Sequence, residues 1–464
     1  MPGIEVGMES VVSEVFQHCS AKVPMPVMAK LVMERALRPE KIDGWFEENR
    51  ERQYTRELLF SSVFQVMSLV AVKVFPSTHA AYQADKDAIA VSVTSLYNKI
   101  NSVDGKTSRA LVRESAVELG KSVKALKGQR PDLLAGYRVK LVDGNCLEAS
   151  EHRLAVLRRT PAGPLPGKSL VVYDASLAMV IDVFPCEDGH AQERALLAEV
   201  LPTVEDGDLW IWDRNFCVRD FLAGIEERKG RFIGRHHKGM VYTPLSPERF
   251  VGSTQTGAVY EQLVEVAGTG DRSPAKYRLI RVSLKKATRD GEMEVLILTN
   301  LSKSAANAKQ VAELYRRRWE IETTFQKLEK HLNSEVNSLG YPKAALFAFC
   351  VALIAYNVLA VVAAALRRVH GDDVIAQKVS GFYIAGEISR GHEAVTIAIR
   401  PKEWSRLRNL SDAAHRDLLL NIAEAVDLSK YKKHVRGPKK PPAARTLYLN
   451  KPHVSTARLL RDQE

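Results

Sequence analysis

The spacing of apolar positions changes character along the chain. Up to about residue 125 it is that of helices, clearest over 27–37 and 58–74. Near residue 132 the period shortens to two. Stretches 138–142, 169–173 and 179–184 predict a meander of strands, followed by a helix over 191–201 and a short buried strand over 209–212. A helix over 218–228 and a strand over 231–234 come next. Three more strands follow, 258–266, 277–284 and 293–298, separated by Gly, Asp and Pro turn signals. Helical spacing returns with an apolar stripe of Leu314, Ile321, Phe325, Leu328 and Leu332 and continues beyond residue 340. One segment, 344–366, is almost wholly apolar and about long enough to span a bilayer. Tyr356 and Asn357 interrupt it, and it reads as a buried helix of a large globular protein.

Composition narrows the class. The chain has 464 residues, 45% of them hydrophobic, enough for a large core and more than one domain. The net charge of +12 favours a polyanionic partner. Five scattered cysteines, Cys19, Cys146, Cys186, Cys217 and Cys350, fit a reducing compartment and no disulfide framework. Cys186 and His190 are the nearest thing to a metal pair, have no second pair nearby, and read as structural. No secretory signal is visible, so a cytoplasmic location is expected. Residues 430–445 are rich in Lys, Arg and Pro, as a basic arm on phosphates or a solvated tail would be.

The richest chemistry is in Tyr315-Arg-Arg-Arg-Trp-Glu-Ile-Glu322. On a helix, Tyr315, Arg318 and Glu322 share one face. A carboxylate there can bind a cation, while arginine and tyrosine can bind phosphate oxygens. Alone, this is also an ordinary charged surface helix. Two aspartates extend the pattern. Asp143 ends the strand-like run from Tyr137 and precedes Gly144; Asp213 ends Asp208-Leu-Trp-Ile-Trp and precedes Arg214. A single aspartate at a strand end is commonly a turn or cap residue. Two of them with Glu322 make the ligand set expected for two hard divalent cations in phosphoryl transfer.

In this order and spacing the motifs resemble the DDE transposases of bacterial insertion sequences, in the IS-four branch. That family has an Asp–Gly strand, a D-R-x-F-like block and a Y-x2-R-x3-E-x6-K signature after a T-N-L block. The counterparts are Asp143-Gly144, Asp213-Arg214-Asn215-Phe216, and Tyr315, Arg318 and Glu322 after Thr299-Asn300-Leu301. The signature lysine would fall at 329, where this chain has Glu329, flanked by Lys327 and Lys330. By helical angle Lys330 is the better substitute. With a glutamate facing DNA at that place, Glu329→Lys is expected to preserve or raise cleavage.

The resemblance implies an α/β fold: an RNase H-like catalytic core with an inserted β-subdomain, flanked by N-terminal and C-terminal helical regions. The expected organisation is a helical DNA-binding region over 1–130, the first part of the core over 131–235 and the insertion over 236–300. The catalytic helix over 301–340, a helical region over 341–429 and a basic tail over 430–464 complete it. Asp143, Asp213 and Glu322 would hold two Mg²⁺ ions, with Mn²⁺ able to substitute. Tyr315, Arg318, Lys330 and Arg214 would contact DNA, although Arg214 could equally be a structural ion pair. Tyr97, Asn98 and Lys99 follow the cap at Ser92 and read as a DNA-reading helix or as an ordinary amphipathic one. The implied activity is cleavage and strand transfer at the ends of a mobile element. The implied partners are double-stranded DNA, both terminal inverted repeats and target, and a second copy of the chain, with no membrane. A nuclease that cuts without joining, or a non-catalytic DNA-binding derivative, are the rival readings.

Overall fold

The computed structural model describes residues 12–53, 57–148, 150–288, 291–434 and 452–463. Within these, the helices that come first are α1 (Glu14–Lys22), α2 (Pro24–Ala36), α3 (Pro39–Asn49), α4 (Phe60–Ala71), α5 (Thr78–Ala84), α6 (Val93–Asn101) and α7 (Gly105–Ala125). Side-chain caps set several of their starts. The Ser92 hydroxyl accepts from the Ser95 amide before α6, and Asp104 accepts from Thr107 at 2.7 Å before α7.

The strands are β1 (Arg138–Leu147), β2 (Gly163–Leu165), β3 (Gly167–Asp174), β4 (Met179–Cys186), β5 (Asp208–Trp212), β6 (Arg231–Arg235), β7 (Tyr242–Pro244), β8 (Arg249–Ser253), β9 (Gly257–Val266), β10 (Ala275–Leu284), β11 (Glu294–Thr299) and β12 (His453–Ser455). Among the described residues, ten of them build one mixed sheet in the order β4-β3-β1-β5-β6-β11-β10-β9-β7, with β8 also paired to β9; β12 and β2 pair separately. Strands β4, β3 and β1 run antiparallel, β1, β5 and β6 run parallel, and β6 joins β11 antiparallel. The inserted strands therefore continue the central sheet through the Thr299↔Ile233 pairing instead of forming a sheet of their own. All eight strands read from the sequence have a counterpart here. The short edge strands β7 and β8 were not legible, being too brief and too exposed to alternate.

Alternation along β1 and β5 divides the core in two. Val139, Leu141, Leu209 and Ile211 join one apolar cluster, while Val142, Trp210 and Trp212 join the other. The first cluster contains α12 (Pro342–His370), the long apolar helix, which packs on α7 and β4 and is buried along most of its length. Its one fully buried amide is satisfied: Asn357 donates to the Val180 carbonyl (2.7 Å) and accepts from the Val180 amide (2.9 Å), pinning α12 to β4. The second cluster is covered by α8 (Leu197–Val200) and α9 (Arg219–Glu227). The helix expected over 191–201 is instead a 3-10 turn at Glu193–Leu196, the four-residue α8 and a further turn at Leu201–Thr203. Pro202 cannot donate the bond a continuing helix needs. Downstream are α10 (Ala308–Arg316) and α11 (Trp319–His331), and beyond α12 lie α13 (Asp372–Lys378), α14 (Gly381–Ala398), α15 (Pro401–Arg408), α16 (Asp412–Glu424) and α17 (Thr456–Arg461). Of the basic run, Lys432 and Lys433 are described, and Arg436, Lys439, Lys440 and Arg445 lie outside the described residues.

Candidate active site

The parallel register of β1 and β5 sets the site. Val142 pairs with Trp212, so the next residues, Asp143 and Asp213, come to the same end of the sheet. The start of that strand pair is fixed by a buried ion pair, with Lys140 Nζ 2.7 Å from Asp208. On the other face of β1, the Glu193 carboxylate fills the space beside Gly144. A Cβ there would lie 2.1 Å from a Glu193 oxygen, so the position accepts only glycine while Glu193 is in place.

The segment expected to be one helix is two. Bonds from Arg317 to the Leu314 carbonyl, Arg318 to Tyr315 and Ile321 to Arg318 tighten the backbone into a 3-10-like turn between α10 and α11. Such a turn eclipses positions three apart, which keeps Tyr315 and Arg318 on one side. Arg318 is 6% exposed and is the hub. One of its nitrogens lies 2.7 Å from Glu322 Oε1 and 3.4 Å from Asp143 Oδ2. The Tyr315 hydroxyl donates to Asp213 Oδ1 at 3.3 Å, and Arg235 approaches the same oxygen at 3.7 Å. Arg318 Nε has no hydrogen-bond partner.

The charges feel one another. Burial pushes the Asp143 carboxyl up to about 7; Arg318 and the Gly144 amide oppose this, while Glu322 and Asp213 add to it. Burial also works against the charge on Arg318, but Tyr315, Asp213, Asp143 and Glu322 outweigh it and hold the guanidinium firmly protonated. Burial, then Asp213, raises the Tyr315 phenol. Carboxylate oxygens are the donors a hard divalent cation takes, and the repulsion felt by Asp143 is what a cation relieves. The donor set fits such an ion in chemistry. The spacing is not closed: among the described residues no three His, Cys, Asp or Glu side chains lie close enough together to hold a metal. The three carboxylates share an arginine-centred constellation and not the ready ligand set that the sequence reading expects.

The other residues named from the sequence lie as follows. Arg214 pairs with Glu292 at 3.0 Å, the structural alternative considered for it. Lys330 is exposed near the end of α11, ~12 Å along the axis from Glu322. On α6, Asn98 is exposed, Tyr97 is half-buried and the Lys99 ammonium lies over the Phe46 ring, 4.4 Å from its centroid. Sequence reasoning missed Arg235, Glu292 and the position of Glu193. For Arg235 a signal existed: it directly follows the strand read over 231–234, as Asp213 follows the strand over 209–212, and the ends of parallel strands form one site.

Residues 137–358 match the family described as transposase DDE domain. Asp143, Asp213 and Glu322 all fall inside that stretch. Curated relatives carry transposase names, those from Escherichia coli being of insertion sequence elements. The protein y4zB of Sinorhizobium fredii is 29% identical over 206 residues, covering 44% of this chain and 54% of its own. InsL of insertion sequence element IS186A and the transposase of IS421, both from Escherichia coli, are each 24% identical over 243 residues, covering 46% of this chain and 62% of theirs. The chain thus spans little more than half the length of these relatives. Among solved structures, a piggyBac transposase synaptic complex with hairpin DNA aligns over 88% of this chain and 86% of that chain, at 11% identity and a TM-score of 0.40, too loose a likeness to bear on fold or function.

Proposed function

We propose that the protein is a DNA transposase that binds the ends of an insertion sequence and moves it by cleavage and strand transfer. The observation that carries this reading is the single constellation of Asp143, Asp213 and Glu322 around Arg318, at adjacent parallel strand ends and inside the matched family stretch. The β4-β3-β1-β5-β6 part of the sheet is read as an RNase H-like core, three antiparallel strands leading into parallel ones, with the inserted strands extending its edge.

Two divalent cations, Mg²⁺ with Mn²⁺ able to substitute, would be held by Asp143, Asp213 and Glu322, lowering the pKa of an attacking water or 3′-hydroxyl and stabilising the leaving oxygen. Arg318 counterbalances these carboxylates in the protein alone. On this reading a phosphate at the cut end would be met by the Tyr315 hydroxyl and Arg318 once entering cations release them from Asp213, Asp143 and Glu322. Asp143 must ionise to serve as a ligand, and its raised pKa places that step near neutrality. The partners on this reading are element-end and target duplexes and a second copy of the chain, in the cytoplasm on chromosomal DNA.

The test is an assay on duplexes taken from the DNA on either side of the gene. Wild-type protein with Mg²⁺ gives cleaved and joined products. Asp213→Ala and Glu322→Ala abolish both while end binding persists, because most affinity comes from basic contacts spread over the chain. Wild-type rates in either variant would show the site to be misassigned. Cleavage without joining would make the protein a nuclease, and binding alone a non-catalytic derivative.

A further inference from the structure

Beside Asp213, one carboxylate is stretched between two guanidiniums. Glu292 places one oxygen 3.0 Å from an Arg214 nitrogen and pairs through the other with Arg235. Arg235 in turn lies 3.7 Å from Asp213. Glu292 is far away in sequence, just before β11 in the inserted part of the sheet. Its backbone is fixed there: Thr288 donates to the Glu292 carbonyl at 2.8 Å, the Glu292 amide to the Thr288 hydroxyl at 3.1 Å, and Leu284 to the Met293 carbonyl at 2.8 Å. Burial opposes the charge on Glu292, but Arg235 and Arg214 hold its carboxyl below the usual range. This corner carries two cations against one inserted anion, the reverse of the carboxylate-rich Arg318 side. A carboxylate with one oxygen on each of two arginines reproduces what two non-bridging oxygens of a phosphodiester would do in the same place.

We propose that Arg214 and Arg235 form a phosphate-binding pair beside Asp213, and that Glu292 is an internal stand-in for that phosphate, displaced when a DNA backbone enters. The proposal rests on the transposase reading for its ligand and adds to it a competing group within the chain. Glu292 then sets a threshold: a duplex gains the two arginines only by exchanging one anion for another, which costs little for a correctly seated phosphate and is unfavourable for a loosely placed one.

The experiment uses the full chain and a fluorescently labelled duplex of arbitrary sequence with a free 3′ end, titrated across a range of salt. Glu292→Gln is expected to bind ~5-fold tighter than wild type at low salt, with a log–log salt slope steeper by ~1. Glu292→Asp keeps the charge and shortens the reach, so it gives a smaller gain of the same sign, which separates the effect from net charge. Glu294→Gln removes one charge from the neighbouring β11, where the side chain is 58% exposed. It is expected to leave the slope unchanged, and adding Arg235→Gln to Glu292→Gln is expected to cancel the gain. Equal binding by wild type, Glu292→Gln and Glu292→Asp would overturn the proposal and make Glu292 a structural ion-pair partner, leaving the transposase reading intact. Absence of duplex binding by wild type would sink that reading, and this one with it. Should Glu292→Gln lose its thermal transition, Glu292→Asp carries the decision on its own.

Discussion

Two arginine–carboxylate clusters meet at Asp213, and they are built in opposite ways. The first is local and sealed. Arg318 and Glu322 are one helical turn apart, Asp143 joins from β1, and the guanidinium is nearly inaccessible. The second is assembled from afar and is more open: Glu292 lies 78 residues from Arg214 and 57 from Arg235. Their charge balance is reversed too. Around Arg318 three carboxylates face one cation; around Glu292 two cations face one carboxylate, with Asp213 shared between the two sides. A surplus of negative charge invites metal ions, and a surplus of positive charge invites phosphate. The proposed chemistry needs both within reach of one scissile bond.

The largest expected effect comes from breaking the sealed cluster. Arg318→Met keeps much of the side-chain volume and removes the charge, leaving Asp143 and Glu322 facing each other without a counter-ion. Breaking a buried pair from one side costs ~3 kcal/mol, so the thermal midpoint should fall in metal-free buffer and recover in part with Mg²⁺. End cleavage should fall ~100-fold. A midpoint that is unchanged, or that ignores Mg²⁺, would mean that Arg318 is not balancing these carboxylates. The corresponding change in the open cluster, Glu292→Gln, should leave the midpoint nearly where it was.

The same contrast explains what the sequence could tell. Tyr315, Arg318 and Glu322 are spaced so that helical geometry alone groups them, and Asp143 and Asp213 end apolar strand runs. The sealed cluster was therefore legible, apart from the 3-10-like turn that splits the helix. That turn depends on backbone bonds with no marker in residue type. The open cluster was not legible. Its partners meet only because β11 pairs with β6, a register set by side chains far from Arg214. Arg214 accordingly read as either a phosphate ligand or an ion pair, and the ion pair seen here is compatible with both. The buried helix over 344–366 was legible because the carboxylates before it and the basic run after it read as one enzyme with the helix inside. Its partner, Val180, was not.

Acid acts on the sealed side through two groups of opposite sign: the raised Asp143 carboxyl, whose protonation favours the folded state as the pH falls below about 7, and a histidine whose protonation disfavours it. His331 closes α11, the helix that carries Glu322. Burial, then Lys327, Lys73 and Lys330, hold its pKa down to about 4. The unfolded chain takes up that proton near 6.5 and the folded chain only near 4, so between these values unfolding binds protons. Stability from neutral His331 is present above about 6.5 and is lost as the pH falls towards about 4, by ~1–2 kcal/mol. Replacing His331 with Gln should leave the thermal midpoint falling less, or rising more, towards the acid end of that window than it does in the wild type. An unaltered slope would assign the acid sensitivity elsewhere, for example to His392 and His415, which are depressed similarly.

The smallest effect concerns Glu329, where the signature has lysine. Sequence comparison alone expects Glu329→Lys to help cleavage. The structure argues for the reverse. Glu329 is exposed, and its charge acts on Lys73, just beyond α4. Lys73 donates to the Lys330 carbonyl at 3.0 Å, the Ala71 carbonyl accepts from Asn333 at 2.8 Å, and the Ser389 hydroxyl donates to the Lys73 carbonyl at 2.7 Å. The end of the Glu322 helix is thus moored to the N-terminal helices, with the Glu329 charge acting on the Lys73 ammonium that makes one of these bonds. A lysine at 329 would set two cations against each other there. An exposed pair is worth at most ~1 kcal/mol, so Glu329→Lys should lower stability by about that much and end cleavage a few-fold. Adding Lys73→Glu should restore the attraction and recover both. If Glu329→Lys instead cleaves faster with an unchanged midpoint, position 329 faces phosphate after all, and the mooring rests on the backbone bonds alone.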